Sequence, residues 1–258
     1  MARHPEISLD ELSELINKLD KFGYESVLLL FGTKMSDYWI KAARTLDHSK
    51  KIKYMFAMRP YALSPEYLYM MTKSFNEIQQ NRLMINFVSG EFYPGEIDPT
   101  DPDGIDINVD DKEKRRLYVR KFVKKYIELF NNKDNRPTIL ISGAAPTAVR
   151  TAKDYGDYSL IMYKDFLFNP STFKDIPNKM INFSVIIKDT QEEAEALAKT
   201  LSPVDKMNTI YGNKECVINT INDLKQYGIN DILIDRAHCE EEADYLHDFV
   251  KELIDANI

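Results

Sequence analysis

The sequence predicts an α/β fold built around a parallel sheet. Short apolar runs of strand length alternate with helical segments along the chain, and most of the runs end in glycine, serine or another turn residue. Seven such runs recur along the 258 residues, and continuous apolar runs of this length are typical of strands buried in a parallel sheet. We expect a single domain over residues 1–258.

The first helix and the first strand are clearly marked. Ser8 and Glu11 form the pattern of a capping box ahead of leucines at helical spacing, and Gly23 ends the helix. The run SVLLLFG at 26–32 is too short for a helix and ends in glycine, so it predicts a strand buried on both faces. A helix at about 36–46 follows it.

Later segments repeat the same alternation. A strand at 52–58 precedes a helix that Ser64 and Pro65 open as N-cap and first-turn proline, with Met70 and Met71 as filler of the core. Further strands are predicted at 82–90, 137–143, 157–163, 181–188 and 230–235.

Composition and motif content exclude several classes of partner and cofactor. The net charge of −7 comes with 34 dispersed lysines and arginines, which leave no basic surface for nucleic acid. No apolar run approaches the roughly 18 residues of a membrane span, and the N-terminal residues lack the apolar core of a secretory signal, so we expect a cytoplasmic protein. Cys216 and Cys239 lack CxxC spacing and are interpreted as reduced, half-buried thiols, and the dispersed histidines predict no metal site.

Residues 92–112 interrupt the alternation. This segment is rich in proline, glycine and acidic residues, and it has no apolar periodicity. It follows the carboxyl end of a predicted strand, which is the edge where α/β proteins bind ligands. A lid over a ligand site and a solvated acidic loop without a role are both compatible with this pattern.

Polar and small residues collect where the predicted strands end. They include Arg59, Asn86, Ser89, Ser142 and Gly143. The carboxyl ends of the strands in a parallel barrel converge on one mouth, so these residues predict a ligand site there. Arg59 ends a buried strand and needs an anion, a carboxylate or a solvent-filled cavity, although a structural salt bridge is the commoner outcome.

The stretch ISGAAPTAVR at 141–150 predicts a phosphate site. The small residues Ser142, Gly143, Ala144 and Ala145 precede a helix that begins near Pro146, so they expose backbone N–H groups at a helix N-terminus. A Ser-Gly turn with a purely structural role is the alternative. The chain lacks GxGxxG, GxxxxGK[ST] and GxSxG, which argues against a Rossmann dehydrogenase, a P-loop enzyme and an α/β-hydrolase.

Several segments carry a family resemblance over nearly the whole chain. They are LDKFGYESVLLLFG, IKYMFAMRPYALSPE and NRLMINFVSGE, then DKEKRRLYVRKFVKKYIELF, IIKDTQEEAEALAKTL and YGNKECVINTINDLKQYGINDILI. Together they resemble the bacterial luciferase-like flavin monooxygenases, most closely the alkanesulfonate monooxygenase branch. The resemblance implies a (β/α)8 TIM-barrel fold in a reduced form, because the first barrel strand of the family and the long segment between its last two strands have no counterpart in this sequence.

The resemblance also implies a cofactor and site residues. Members of the family use reduced FMN, supplied by a separate flavin reductase, with O2 to oxidise a small organic substrate. By position, the segment Ser142–Ala145 (Ser142, Gly143, Ala144 and Ala145) would meet the FMN phosphate, with Arg115 or Tyr118 nearby. Asn86 and Ser89 would face the isoalloxazine ring. Our own hypothesis is that Arg59 steadies an anionic substrate or a flavin peroxide. Arg59 and Asn86 are the candidate catalytic residues.

Four positions depart from the alkanesulfonate branch. Its cysteine corresponds to Met35, its arginine and histidine on the seventh strand to Asn182 and Ser184, and its tyrosine after the eighth strand falls near Ala237. Serine cannot shuttle protons near neutral pH as imidazole can, so sulfonate is a doubtful substrate.

Two alternatives therefore stay open beside the monooxygenase. One is a non-catalytic flavin-binding barrel or the inactive subunit of a heterodimer, and the other is a barrel for a different phosphorylated ligand. We also expect a homo-oligomer, because a barrel that lacks a strand leaves edges that favour pairing.

Overall fold

The computed structural model describes residues 7–30, 36–61, 63–90, 111–131, 136–235 and 240–255. These residues form two compact units, one that ends at Asp157 and one that begins at Tyr158. Parallel strands alternate with helices in both units, which confirms the predicted α/β class. Among the described residues, no helix is long and apolar enough to cross a membrane.

The elements follow one another in a regular order. The strands are β1 (Ser26–Leu29), β2 (Lys53–Met58), β3 (Leu83–Phe87), β4 (Thr138–Ser142), β5 (Tyr158–Met162), β6 (Lys179–Ile187), β7 (Thr209–Gly212) and β8 (Ile229–Ile234). The helices are α1 (Leu9–Lys21), α2 (Tyr38–Thr45), α3 (Pro65–Ile78), α4 (Lys112–Glu128), α5 (Pro146–Tyr155), α6 (Tyr163–Phe168), α7 (Gln191–Ala198), α8 (Pro203–Met207), α9 (Lys214–Lys225) and α10 (Glu240–Asp255). Residues 92–110 of the predicted acidic loop lie outside the described residues.

The first unit contains a parallel sheet in the order β1-β2-β3-β4. Its register pairs Ala57 with Asn86 and Asn86 with Leu140 in neighbouring strands. Because the strands are parallel and nearly level, they all end at the same edge. The residues after β2, β3 and β4 are therefore neighbours, although 54 or more residues of sequence separate some of them.

Aromatic side chains fill the space between this sheet and its helices. The indole of Trp39 on α2 stacks on the ring of Phe56 on β2, with centroids 4.1 Å apart and planes 10° apart. Phe75 on α3 meets the same indole edge-on at 6.0 Å. Aromatic pairs in these geometries stabilise by about 0.5–1.5 kcal/mol beyond the burial of their surface, so they fix the two helices on the sheet.

Helix termini agree with the predicted signals. The Ser8 hydroxyl accepts a hydrogen bond from the Glu11 N–H at 3.1 Å, and the Glu11 carboxylate accepts one from the Ser8 N–H at 2.5 Å, so the capping box is confirmed. Ser64 caps α3 through the Tyr67 N–H, and Pro65 is the first helical residue.

The second unit contains one strand more than predicted. β6 is nine residues long, and its first half pairs with β5 on one side and β8 on the other. Its second half, Ser184–Ile187, pairs with β7. The prediction of seven strands is therefore wrong, because four residues, TIYG at 209–212, are too few to show a periodic signal.

Three predicted burials are also wrong. β1 alternates half-buried and buried residues, since among the described strands it pairs only with β2 and is an edge of the sheet. Met70 is 61% exposed on the outer face of α3, so it does not fill the core. Cys216 is exposed on α9 rather than half-buried.

A buried hydroxyl pair joins α3 to α4 and gives the first testable prediction. The Thr72 hydroxyl donates to the Leu68 carbonyl at 2.9 Å, so the Tyr126 hydroxyl, 2.6 Å away, must donate to Thr72. Burial raises the pKa of Tyr126. Tyr126→Phe should lower the free energy of unfolding by about 1 kcal/mol, because it removes one buried hydrogen bond. Urea unfolding measures this change.

The matched control is Tyr69→Phe, a half-buried tyrosine of α3 that packs edge-on against Phe130 at 4.9 Å. No hydrogen bond of its hydroxyl is described, so this substitution should change the free energy of unfolding by less than about 0.5 kcal/mol. Equal losses in the two variants would contradict the role given to the hydroxyl pair.

Candidate functional site

Arg59 follows β2 and lies against the turn after β3. Its side chain is buried, with 8% of its surface exposed. Gly90 has a φ of +25°, and a Cβ added at Gly90 would lie 2.6 Å from Cδ of Arg59. Only glycine leaves room for the arginine at this place, and it also tolerates the left-handed backbone. The position of Arg59 therefore depends on the residue at 90.

Two hydrogen bonds to the Ser89 carbonyl hold this turn in place. It accepts a hydrogen bond from the Tyr61 hydroxyl at 2.8 Å and one from Nε of Arg115 on α4 at 3.2 Å. One residue earlier, the Val88 N–H donates to the Met58 carbonyl at 2.9 Å and extends the pairing of β3 with β2. These bonds hold the Ser89–Gly90 turn from two directions.

The charges of two guanidinium groups affect the pKa of the Tyr61 phenol. Burial raises the pKa of Tyr61, and the positive charges of Arg115 and Arg59 oppose that rise. Both arginines are buried, Arg115 with 4% of its surface exposed. The ring of Tyr118, the next candidate on α4, packs against the Tyr61 ring with centroids 5.6 Å apart. Two buried guanidinium groups and two aromatic rings therefore lie together at this edge of the sheet.

Asn86 and Ser142 meet across neighbouring strands. The Ser142 hydroxyl donates to Oδ1 of Asn86 at 2.8 Å. Asn86 is 3% exposed. It pairs with Leu140 in β4, and Ser142 lies two residues beyond Leu140, so the side chains of Asn86 and Ser142 point to the same face of the sheet. With Oδ1 occupied, the amide nitrogen of Asn86 is left as a donor at this face.

The segment Ser142–Ala145 leads into an open helix N-terminus. Gly143 has a φ of +121°, which only glycine adopts readily. Ala145 is the N-cap of α5 and has no side-chain oxygen to cap the helix, and Pro146 is the first helical residue. The backbone N–H groups of the first turn thus have no capping side chain, which is the arrangement that binds anions.

Glu113 lies beside this helix terminus. Its carboxylate accepts a hydrogen bond from the Thr147 hydroxyl in the first turn of α5 and pairs with Arg116 at 3.3 Å. The Thr147 hydroxyl is thereby occupied, so the backbone N–H groups of the segment Ser142–Ala145 and of the first turn of α5 are the donors left for an anion. Glu113 was not predicted, since it has no local motif and meets α5 only through the fold.

The structure brings most of the predicted site residues together within the first unit. Asn86 meets Ser142, and Arg115 meets Ser89. Tyr61 was missed by the sequence analysis, although its place two residues after Arg59 could have suggested it.

Two departures from the alkanesulfonate pattern lie in the second unit. The Asn182 amide donates to the Leu233 carbonyl at 3.1 Å and is 8% exposed, so it joins β6 to β8. Ser184 is half-buried, and its N–H donates to the Asn208 carbonyl at 2.9 Å. Met35 and Ala237 lie outside the described residues. Within the described ranges, no group of three or more His, Cys, Asp or Glu could hold a metal ion.

A double-mutant cycle tests the dependence of Arg59 on Gly90. Gly90→Ala should lower the free energy of unfolding by about 1–3 kcal/mol, from the clash with Arg59 and from the positive φ. In an Arg59→Ala background the clash is gone, so the same substitution should cost at least about 1 kcal/mol less. Additive effects in urea unfolding would show that the two residues are not coupled.

Solved structures of bacterial luciferase-like flavin monooxygenases share the fold of this chain. EDTA monooxygenase (EmoA) from Chelativorans sp. BNC1 aligns with a TM-score of 0.74 and 12% identity over 97% of this chain and 87% of its own. Long-chain alkane monooxygenase (LadA) aligns with a TM-score of 0.76 and 11% identity over 99% of this chain and 87% of its own.

A dehydrogenase also has this fold. An F420-dependent secondary alcohol dehydrogenase, solved with an F420-acetone adduct, aligns with a TM-score of 0.73 and 16% identity over 97% of this chain and 96% of its own. No protein-family model matches the sequence. The chain therefore has the α/β TIM-barrel-like fold of luciferase-like structures, as predicted, and identities this low establish the fold alone.

Proposed function

We propose that this chain is a flavin-dependent monooxygenase that uses reduced FMN and O2 to oxidise a small organic substrate. The observation that carries the proposal is the hydrogen bond between Asn86 and Ser142 beside the uncapped N-terminus of α5. It joins a polar face at the strand ends to an anion-binding helix terminus, as a ligand with a planar polar ring and a phosphate requires. The fold shared with EDTA and long-chain alkane monooxygenases supports it.

The residues present fit FMN. Its phosphate would be held by the backbone N–H groups of the segment Ser142–Ala145, where no side chain caps the helix, while the Ser142 hydroxyl keeps its hydrogen bond to Asn86. Arg115 and Tyr118 would act on this site indirectly, because both interact with Tyr61. The Asn86 amide nitrogen and the Ser89 turn would face the isoalloxazine ring. Bound FMN would supply the electrons and the activation of O2.

Arg59 would serve the substrate. A buried guanidinium at the strand ends would bind an anionic group of the substrate or stabilise negative charge that develops during oxidation. The aromatic rings of Tyr61 and Tyr118 would exclude water from the same edge. The chain would thus contribute position and electrostatics, while the cofactor contributes the chemistry.

The proposal extends to partners and to the substrate. We propose one catalytic domain over residues 1–258, a separate flavin reductase as the source of reduced FMN, and a cytoplasmic homo-oligomer. The segments quoted in the sequence analysis favour the alkanesulfonate branch as the nearest relative. Asn182 and Ser184, in place of that branch's arginine and histidine, favour a different substrate.

A non-catalytic flavin-binding protein, or the inactive subunit of a heterodimer, is the second candidate. Asn182 favours it, because its amide is bonded to the Leu233 carbonyl and has a structural contact in place of a catalytic one. Such a protein would bind FMN at the same strand ends without accelerating the oxidation of any substrate.

An anaerobic titration with FMN, first oxidised and then photoreduced, tests the proposal. We expect tighter binding of the reduced form, followed through flavin absorbance and fluorescence. Arg59→Ala should weaken binding of reduced FMN or of substrate about 10- to 100-fold, since one hydrogen-bonding charge contributes about 1.5–3 kcal/mol.

Lys121→Ala, at an exposed position on α4, is the control for the loss of one positive charge and should bind as the wild type does. Failure of both redox forms of FMN to bind would contradict the proposal. Binding that leaves O2 consumption no faster than with free reduced FMN, across a substrate screen, would favour the non-catalytic candidate.

A further inference from the structure

Three large apolar side chains are exposed on one face of α3. Tyr67 is 56% exposed, Met70 61% and Ile78 56%. With the exposed Ser74 they follow one another at intervals of three or four residues, so they form a continuous stripe along the helix, the α3 stripe. Among the described residues, no other helix exposes more than two large apolar side chains.

The opposite face of α3 belongs to the core. Leu68, Thr72 and Phe75 are buried. Thr72 is bonded to Tyr126 on α4, and Phe75 packs on Trp39 of α2. These contacts fix the rotation of the helix, so the α3 stripe faces away from the core. Exposed apolar surface that extends over a few hundred Å² marks an interaction surface.

The apolar surface continues on the two neighbouring helices. Ile40 on α2 is 67% exposed, and Leu117 on α4 is 53% exposed. Both helices pack directly against α3. The exposed apolar face thus extends beyond one helix, as a standard interface of roughly 800 Å² per partner requires.

Two opposite charges flank Met70 on α3. Glu66 precedes it by four residues and Lys73 follows it by three, and both side chains are exposed. The Lys73 Nζ lies over the Tyr69 ring at 5.7 Å, and no ion pair of Glu66 or Lys73 is found among the described residues. Residues seven apart lie on the same side of a helix, so both charges border the α3 stripe along one side. About 10 Å of helix axis separates them, so they do not pair within one chain.

We propose that α3 is the interface between two copies of this chain, which cross antiparallel at Met70 about a two-fold axis. In this crossing Glu66 of one copy lies within about 1.5 Å, along the helix axis, of the level of Lys73 in the second copy. The two-fold axis repeats the contact, so two ion pairs flank the apolar centre formed by the two Met70 side chains. A parallel arrangement would instead set like charges side by side.

The charge pattern favours a second copy over a lipid surface. The exposed carboxylates of Glu66 and Glu77 border the α3 stripe, and anionic headgroups would repel them. A second copy instead presents Lys73 at the level of Glu66. The inference rests on the homo-oligomer of the proposed function, whose contact it places on a helix face, and it does not depend on flavin binding.

Sedimentation velocity of the full chain, over a micromolar range of concentrations, tests the inference. We expect a monomer–dimer equilibrium in the wild type. Met70→Glu places two carboxylates at the centre of the crossing, so it should weaken the dimer at least about 100-fold. The matched control is Met207→Glu, which changes a methionine that is 42% exposed on α8 and should dimerise as the wild type does.

Charge reversal tests the antiparallel direction of the two helices. Glu66→Lys alone, or Lys73→Glu alone, replaces both attractive contacts by repulsive ones and should weaken the dimer about tenfold. The double variant restores opposite charges across the axis and should dimerise within about threefold of the wild type. Damage to the helix itself would not be rescued in this way, because the two residues do not pair within one chain.

A wild type that stays monomeric, or a dimer that Met70→Glu leaves unchanged, would overturn the inference. Additive losses in the double charge variant would overturn it as well, since Glu66 and Lys73 would then not face each other. Titration of the same samples with FMN separates the inference from the proposed function. A dimer that binds no flavin contradicts only the function, and a monomer that binds flavin contradicts only the inference.

Discussion

The parallel register of β2, β3 and β4 is the constraint on which the candidate site depends. It sets Ala57, Asn86 and Leu140 side by side, so the residues that follow each strand come together at one edge. A shift by one residue would turn Asn86 to the other face of the sheet and separate it from Ser142. The aromatic packing of Trp39 and Phe56 stabilises this register from the helix side.

Buried polar groups at the strand ends form hydrogen bonds with one another, so the position of each group depends on its partners. The Ser89 carbonyl has two donors, and Asn86 has the Ser142 hydroxyl. Because an unpaired buried group costs more than a paired one contributes, removing a single partner should disturb more than one contact.

The sequence predicted the local parts of this structure better than the nonlocal parts. The capping box at Ser8 and the Ser64–Pro65 helix start depend on neighbours in sequence, and both are confirmed. β7 has only four residues, and the exposure of Met70 depends on which turn of α3 meets the sheet. Periodicity alone decides neither point.

The site shows the same division between local and nonlocal information. The polar residues after each strand are visible as strand ends, but Glu113 meets Thr147 only after α4 packs beside α5.

The central claim is that the segment Ser142–Ala145, with the uncapped terminus of α5, binds a phosphate as part of a flavin site. The most direct test compares the affinities of the protein for FMN and for riboflavin, which differ only in the phosphate. The account predicts that FMN binds at least about 100-fold more tightly, because charge-assisted hydrogen bonds to backbone N–H groups are lost with riboflavin. Equal affinities for the two flavins would contradict it.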